Sequence, residues 1–173
     1  HEAREKILSL EKDHCDRRGL VWAELGEAPL AQALQYLAIL AETTKDSLAA
    51  ATVEDMAAAY HSSGWNADDA LLRALSFVTD PADVEAVSNV IHAVYVPWAE
   101  EAARYLQETW NSISQFAPEE EAKQTGCVLF VDGLRFDCAM RLANMLKERG
   151  YTVQQEEHWA ALPTVTGTGK PAV

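Results

Sequence analysis

Basic residues are scarce in this chain: 14 Lys and Arg stand against 27 Asp and Glu, a formal net charge of −13 over 173 residues. Neutralising nucleic-acid phosphates takes clustered Lys and Arg, so a non-specific basic surface is excluded and any polyanion contact must be local. Long hydrophobic runs are missing too. The apolar stretches are short and broken by charge, and no basic segment leads into an apolar one. The sequence therefore predicts neither a membrane span nor a signal peptide, and a cytoplasmic location is the simplest expectation. Cysteine is limited to Cys15, Cys127 and Cys138, without a Cys-x-x-Cys pair. An odd count with no such spacing predicts reduced core thiols rather than a disulfide framework. The histidines offer little as ligands: His14 has no second ligand pair beside it, and His61 and His92 lie in helical patterns. No internal repeat is evident.

What is present is ordinary globular composition, 49% hydrophobic and 24% charged, enough for one good core or two small ones. Residues 1–112 read as a helical region. Glu2 to Arg17 is an amphipathic helix stopped by Gly19, and Leu30, Leu34, Leu37 and Leu40 or Ala41 recur at core-facing spacing behind Pro29. That helix is apolar nearly all round, which predicts a central place. Thr52 starts a helix with an acidic first turn that runs to about Ser62, before Gly64. Asn66 or Asp68 caps the next through Val78. Asp80-Pro81 opens another with Val84, Val87, Ile91 and Val94, and Pro97 begins a separate helix from Trp98 to Trp110. The five tryptophans, Trp22, Trp65, Trp98, Trp110 and Trp159, read as core and interface anchors.

Residues 113–124 hold the run Pro118-Glu119-Glu120-Glu121 and read as a solvated linker. After it the pattern changes over residues 125–173: a strand Cys127 to Asp132, a helix from Phe136 to Arg149 stopped by Gly150, and a second strand Tyr151 to Gln154. The fold-class expectation is thus mainly α followed by the opening βαβ of an α/β domain. Two strands are too few to stand alone, which predicts that Val128, Phe130 and Leu142 find shelter against the preceding helices or against another copy of the chain, and that the chain is cut from a longer protein. The start at His1 without methionine points the same way.

Ligands gather at the carboxyl ends of parallel strands, where this reading puts Asp132. Its carboxylate reads either as a ligand for a cation or as the N-cap of the following helix. Asp137, in the first helical turn, is read as structural. Thr164 and Thr166 stand in a Pro-flanked, Gly-rich turn, and a threonine hydroxyl becomes a nucleophile only when a base takes its proton or a metal holds its alkoxide. Gly167 and Gly169 allow backbone N–H groups close to a phosphate, while Lys170 and Arg135 are candidate phosphate contacts with an equally bland surface reading. His158 lies nearest this site as a further metal candidate.

The stretch Val128-Leu129-Phe130-Val131-Asp132-Gly133-Leu134-Arg135-Phe136-Asp137, followed by Ala161-Leu162-Pro163-Thr164-Val165-Thr166-Gly167-Thr168-Gly169-Lys170, resembles the start of the PglZ domain, a branch of the alkaline phosphatase superfamily. Val21-Trp22-Ala23-Glu24-Leu25-Gly26-Glu27-Ala28-Pro29 and the Pro97-Trp98 segment are similar to the region ahead of that domain in proteins of the bacterial BREX phage-defence systems. The resemblance implies an alkaline-phosphatase-like domain from residue 125 onward. It makes Asp132 the first metal-ligand aspartate and Thr166 the phosphoryl-carrying nucleophile and a metal ligand. Two divalent metals, often zinc, would be the cofactors, with the remaining ligands on later strands. The implied activity is hydrolysis of a phosphomonoester or phosphodiester, with a nucleotide or nucleic acid as candidate substrate for the longer protein and other BREX subunits as partners. A rival expectation is a helical docking module for such subunits, without catalysis.

Overall fold

The computed structural model describes residues 1–50, 52–109, 127, 129 and 131–156. The chain divides into two compact units, His1–Trp110 and Asn111–Val173.

The first unit is built from six α-helices: α1 Glu2–His14, a short α2 Val21–Glu24, α3 Pro29–Thr43, α4 Val53–Ala59, α5 Trp65–Ser76 and α6 Pro81–Thr109. The helix expected to reach Arg17 ends at His14, and the chain tightens into a 3₁₀ turn over Cys15–Gly19. Pro29 sits in the first turn of α3, where its missing N–H is no loss. α3 packs against α1, α5 and α6, so it is the central helix. Its buried residues are Ala33, Leu37, Ala38, Leu40 and Ala41, whereas Leu30, at the head of the expected stripe, is exposed. Opposite it, α5 buries Ala67, Ala70 and Ala74. Side chains that stop at Cβ let helices approach closely, while Leu40, Val87 and Val94 fill the core as its largest fully buried apolar groups. Burying each of these contributes about 1.5–3 kcal/mol.

Polar ties fix how the helices sit. Arg4 on α1 donates from Nε to Thr44 Oγ1 at 3.0 Å and from Nη2 to the Val94 carbonyl of α6 at 3.1 Å. Thr44 in turn donates to the Leu40 carbonyl at 2.8 Å. Trp98 is buried and its indole N–H donates to the Asp46 carbonyl at 2.9 Å, holding α6 to the loop that follows α3. Arg73 lies over the Tyr36 ring, 5.5 Å from its centroid, with Nη1 3.4 Å from the phenol oxygen. That hydrogen bond, aided by Asp69 at 2.8 Å, raises the guanidinium pKa above its usual value against the opposing effect of burial.

Two further helix boundaries differ from the sequence reading. Thr52 caps α4 as expected, accepting from the Asp55 N–H at 3.0 Å. Gly64, however, does not end the segment. α4 passes through a π-helical turn, Tyr60–Gly64, straight into α5, and neither Asn66 nor Asp68 is a cap. Asp68 is instead buried, accepting from Tyr60 Oη and from Tyr95 Oη of α6 at 2.6 Å each. The π turn explains the reach: two α-turns advance about 7 residues, and one extra residue brings positions eight apart onto one face. Pro97, expected to start a helix, lies inside the continuous α6. A proline there removes the N–H that residue 93 would bond, a cost tolerated because α6 is held from outside by Arg4 on one side and by the Trp98 anchor on the other.

In the second unit the described residues form one helix, α7 Phe136–Glu148. Gly150 stops it as expected: with φ +86°, its N–H meets the Lys147 carbonyl at 2.9 Å and the Tyr151 N–H meets Leu146 at 3.1 Å, a Schellman close. The opening βαβ is not seen among the described residues. No strand is present among the described residues, and 127, 129, 131 and 151–156 are neither helix nor strand. A strand exists only by pairing, and alternation in a sequence supplies no partner. Leu142 is half exposed within the chain, so other helices of the chain do not cover it fully; Val128 and Phe130 lie outside the described residues.

Candidate functional site

Asp132 and Gly133 form the turn that precedes α7. Gly133 has φ +69°, in the left-handed region where a side chain would be strained. A Cβ built there meets nothing within 4 Å, so the demand for glycine is conformational and not one of close approach. The turn leaves Asp132 exposed. Of its two sequence readings, the N-cap is displaced: Arg135 occupies the cap position, with extended φ −67° and ψ 145°, and its carbonyl accepts the first intrahelical bond from Ala139 at 3.0 Å. Asp132 stands three residues ahead of that cap.

Asp137 has the structural role read from its place in the first turn. It is 1% exposed, and its Oδ1 accepts from Arg135 Nε at 2.9 Å. A buried carboxylate at a helix N-terminus gains from the positive dipole end and from its guanidinium partner, which together offset its lost hydration. Its second oxygen, Oδ2, is buried without a hydrogen-bond partner among the described residues. Arg135, a candidate phosphate contact, is therefore oriented by Asp137 through Nε. Removing Arg135 would leave the buried Asp137 charge without this partner, so the pair ties the cap residue to the first turn of α7.

The other site residues, Thr164, Thr166, Gly167, Gly169, Lys170 and His158, lie outside the described residues. Among the described residues no group of three or more His, Cys, Asp and Glu is placed to hold a metal ion. Asp132 offers one hard oxygen donor, a fit for a divalent cation as a member of a larger donor set and too little alone. The cysteines are free, as expected, but not in the core: Cys127 is exposed, and Cys15 and Cys138 are only partly covered.

Sequence reading missed two features. The Tyr60–Asp68–Tyr95 cluster left no signal, because one of its tyrosines comes from another helix and an aspartate next to a helix start reads as a cap. The corner Leu20–Leu25 did leave one, three successive apolar residues behind Gly19, and Trp22 there is 66% exposed rather than a core anchor. No helix among the described residues is long and apolar enough to cross a membrane. No family model, curated protein or solved structure matches this chain.

Proposed function

We propose that the chain is part of a metal-dependent phosphohydrolase of the PglZ kind, in which Asp132 holds a divalent metal and Thr166 is the nucleophile. The observation that carries this reading is the pairing, in one chain, of Val131-Asp132-Gly133-Leu134-Arg135-Phe136-Asp137 with Pro163-Thr164-Val165-Thr166. The exposed Asp132 carboxylate on a turn fixed by Gly133 supports it. Zinc or a similar ion, when bound, supplies the acidity that makes a threonine hydroxyl a nucleophile at neutral pH. Asp132 and Thr166 are its ligands in this chain, Arg135, Gly167 and Lys170 face the phosphate, and the other ligands come from further along the protein. The substrate is a phosphomonoester or phosphodiester, the setting is cytoplasmic phage defence, and the partners are other defence subunits. Any nucleic acid is met outside this acidic segment.

Steady-state hydrolysis of a chromogenic phosphodiester by the intact protein, with zinc or manganese, tests the reading. Thr166→Ala should abolish turnover, because the covalent step needs the hydroxyl, and leave stability within about 0.5 kcal/mol, as expected for a loop substitution. Undiminished turnover in the variant would remove Thr166 from the role. A second reading, a docking module, is favoured by one observation: the exposed apolar corner at Leu20, Val21, Trp22 and Leu25. The two readings concern different parts of the chain and are compatible.

A further inference from the structure

The corner between α1 and α3 is rigid and turned inside out. Leu20 is 51% exposed, Val21 62%, Trp22 66% and Leu25 68%. Only Ala23, 4% exposed, is tucked against the unit. Backbone hydrogen bonds close the corner: Ala23 N–H meets the Leu20 carbonyl at 2.9 Å, Leu25 meets Val21 at 2.9 Å, and Glu27 meets Trp22 at 2.8 Å. Gly26, at φ +82°, closes the turn, and Gln32 donates to the Arg18 carbonyl at 3.4 Å behind it. Arg18 is itself ion-paired with Glu11. Four large apolar groups are thus exposed on a hydrogen-bonded turn. A patch of this kind, on the order of a few hundred Å², marks a binding surface when it stands on a folded monomer. Trp with Leu neighbours is also the composition of an interface anchor, and a pre-ordered frame lowers the entropy cost of docking.

Charge selects the occupant. Residues 1–110 hold eight Lys or Arg against nineteen Asp or Glu; Glu24 and Glu27 stand exposed at the rim of the patch, while of the two cations just before it Arg17 is exposed and Arg18 is paired with Glu11. A field of that sign repels a second copy of the chain, nucleic acid and an anionic lipid surface, and attracts a cationic protein surface. We propose that the Leu20–Leu25 corner is a docking site for a protein partner that presents an apolar pocket or helix face ringed by Lys and Arg, with Trp22 as the central anchor and Glu24 and Glu27 meeting the cationic rim. This inference does not depend on the phosphohydrolase reading.

The test uses the 173-residue chain and a fluorescently labelled amphipathic helical peptide with one leucine face and one lysine face, followed by anisotropy. Its glutamate-faced counterpart is the control. The lysine peptide should bind at least tenfold more tightly than the glutamate peptide, and Trp22→Ser and Leu25→Ser should each weaken it at least tenfold with circular dichroism unchanged, since both side chains are exposed. Glu24→Gln with Glu27→Gln should weaken it and flatten its salt dependence. Equal binding by the Trp22 and Leu25 variants would overturn the site, and equal binding of the glutamate peptide would overturn the partner's chemistry. Sedimentation equilibrium should show a monomer; a dimer that Trp22→Ser disperses would make a second copy the occupant and overturn the proposal.

Discussion

At the scale of single residues, two buried aspartates organise more of this protein than their sequence positions suggest. Asp68 accepts from two tyrosine hydroxyls at 2.6 Å, joining the α4–α5 segment to α6. Asp68→Ala leaves both hydroxyls short of an acceptor in a region of low exposure, which should cost about 2–3 kcal/mol in urea unfolding. Asp68→Asn keeps one carbonyl acceptor and should cost less; equal losses would show that the charge, not the hydrogen bonds, matters. Asp137 was legible as a first-turn acid, and its burial under Arg135 follows that reading. Asp68 was not legible: its partners come from Tyr60 and from Tyr95, and no local pattern announces a π turn or a contact between helices. The choice for Asp132 between cap and ligand was open in the sequence for a physical reason. Either role needs an oxygen at the end of an extended segment, and only the placement of Arg135 at the cap separates them.

At the scale of elements, helices were readable and strands were not. Thr52, Asp80-Pro81 and Gly150 mark their helix ends by local chemistry, and the structure uses all three, Asp80 accepting from the Ala82 N–H at 2.9 Å. Gly64 misled because glycine is also used where space is short. A Cβ there would stand 3.1 Å from both Leu48 Cδ2 and Tyr60 Cδ2. Tyr60 is held by Asp68 and Leu48 is buried, so neither yields freely. Gly64→Ala should therefore destabilise by about 1 kcal/mol net, crowding outweighing the usual helical gain of alanine. A rise in thermal midpoint in that variant would show that the π turn relaxes at no cost. Pro97 misled for the opposite reason: proline favours a helix start, but external anchoring kept α6 whole. Of the expected strands, Tyr151–Gln154 is not one, and the described residues of Cys127–Asp132 carry no strand either, because strand formation is a property of pairs and the described residues contain no partner strand.

At the scale of the whole molecule, the chain comprises a helical unit with an exposed apolar corner at Leu20–Leu25 and a second unit that carries Asp132. The excess of Asp and Glu confines any phosphate chemistry to a locally arranged site, where a metal ion reverses the sign of the field. One carboxylate and one neutral hydroxyl supply too few ligands for a closed divalent site. The 173-residue chain by itself should accordingly show little hydrolase activity and weak zinc affinity; tight stoichiometric binding with turnover would mean that no ligands beyond this chain are needed. The most direct measurement is calorimetric titration of zinc into the intact protein and its Asp132→Asn variant, with phosphodiester turnover followed at each metal ratio. The account predicts that the variant binds zinc at least tenfold more weakly and loses turnover in step, while its fold is unchanged. Equal zinc affinity and equal turnover in the two proteins would contradict it.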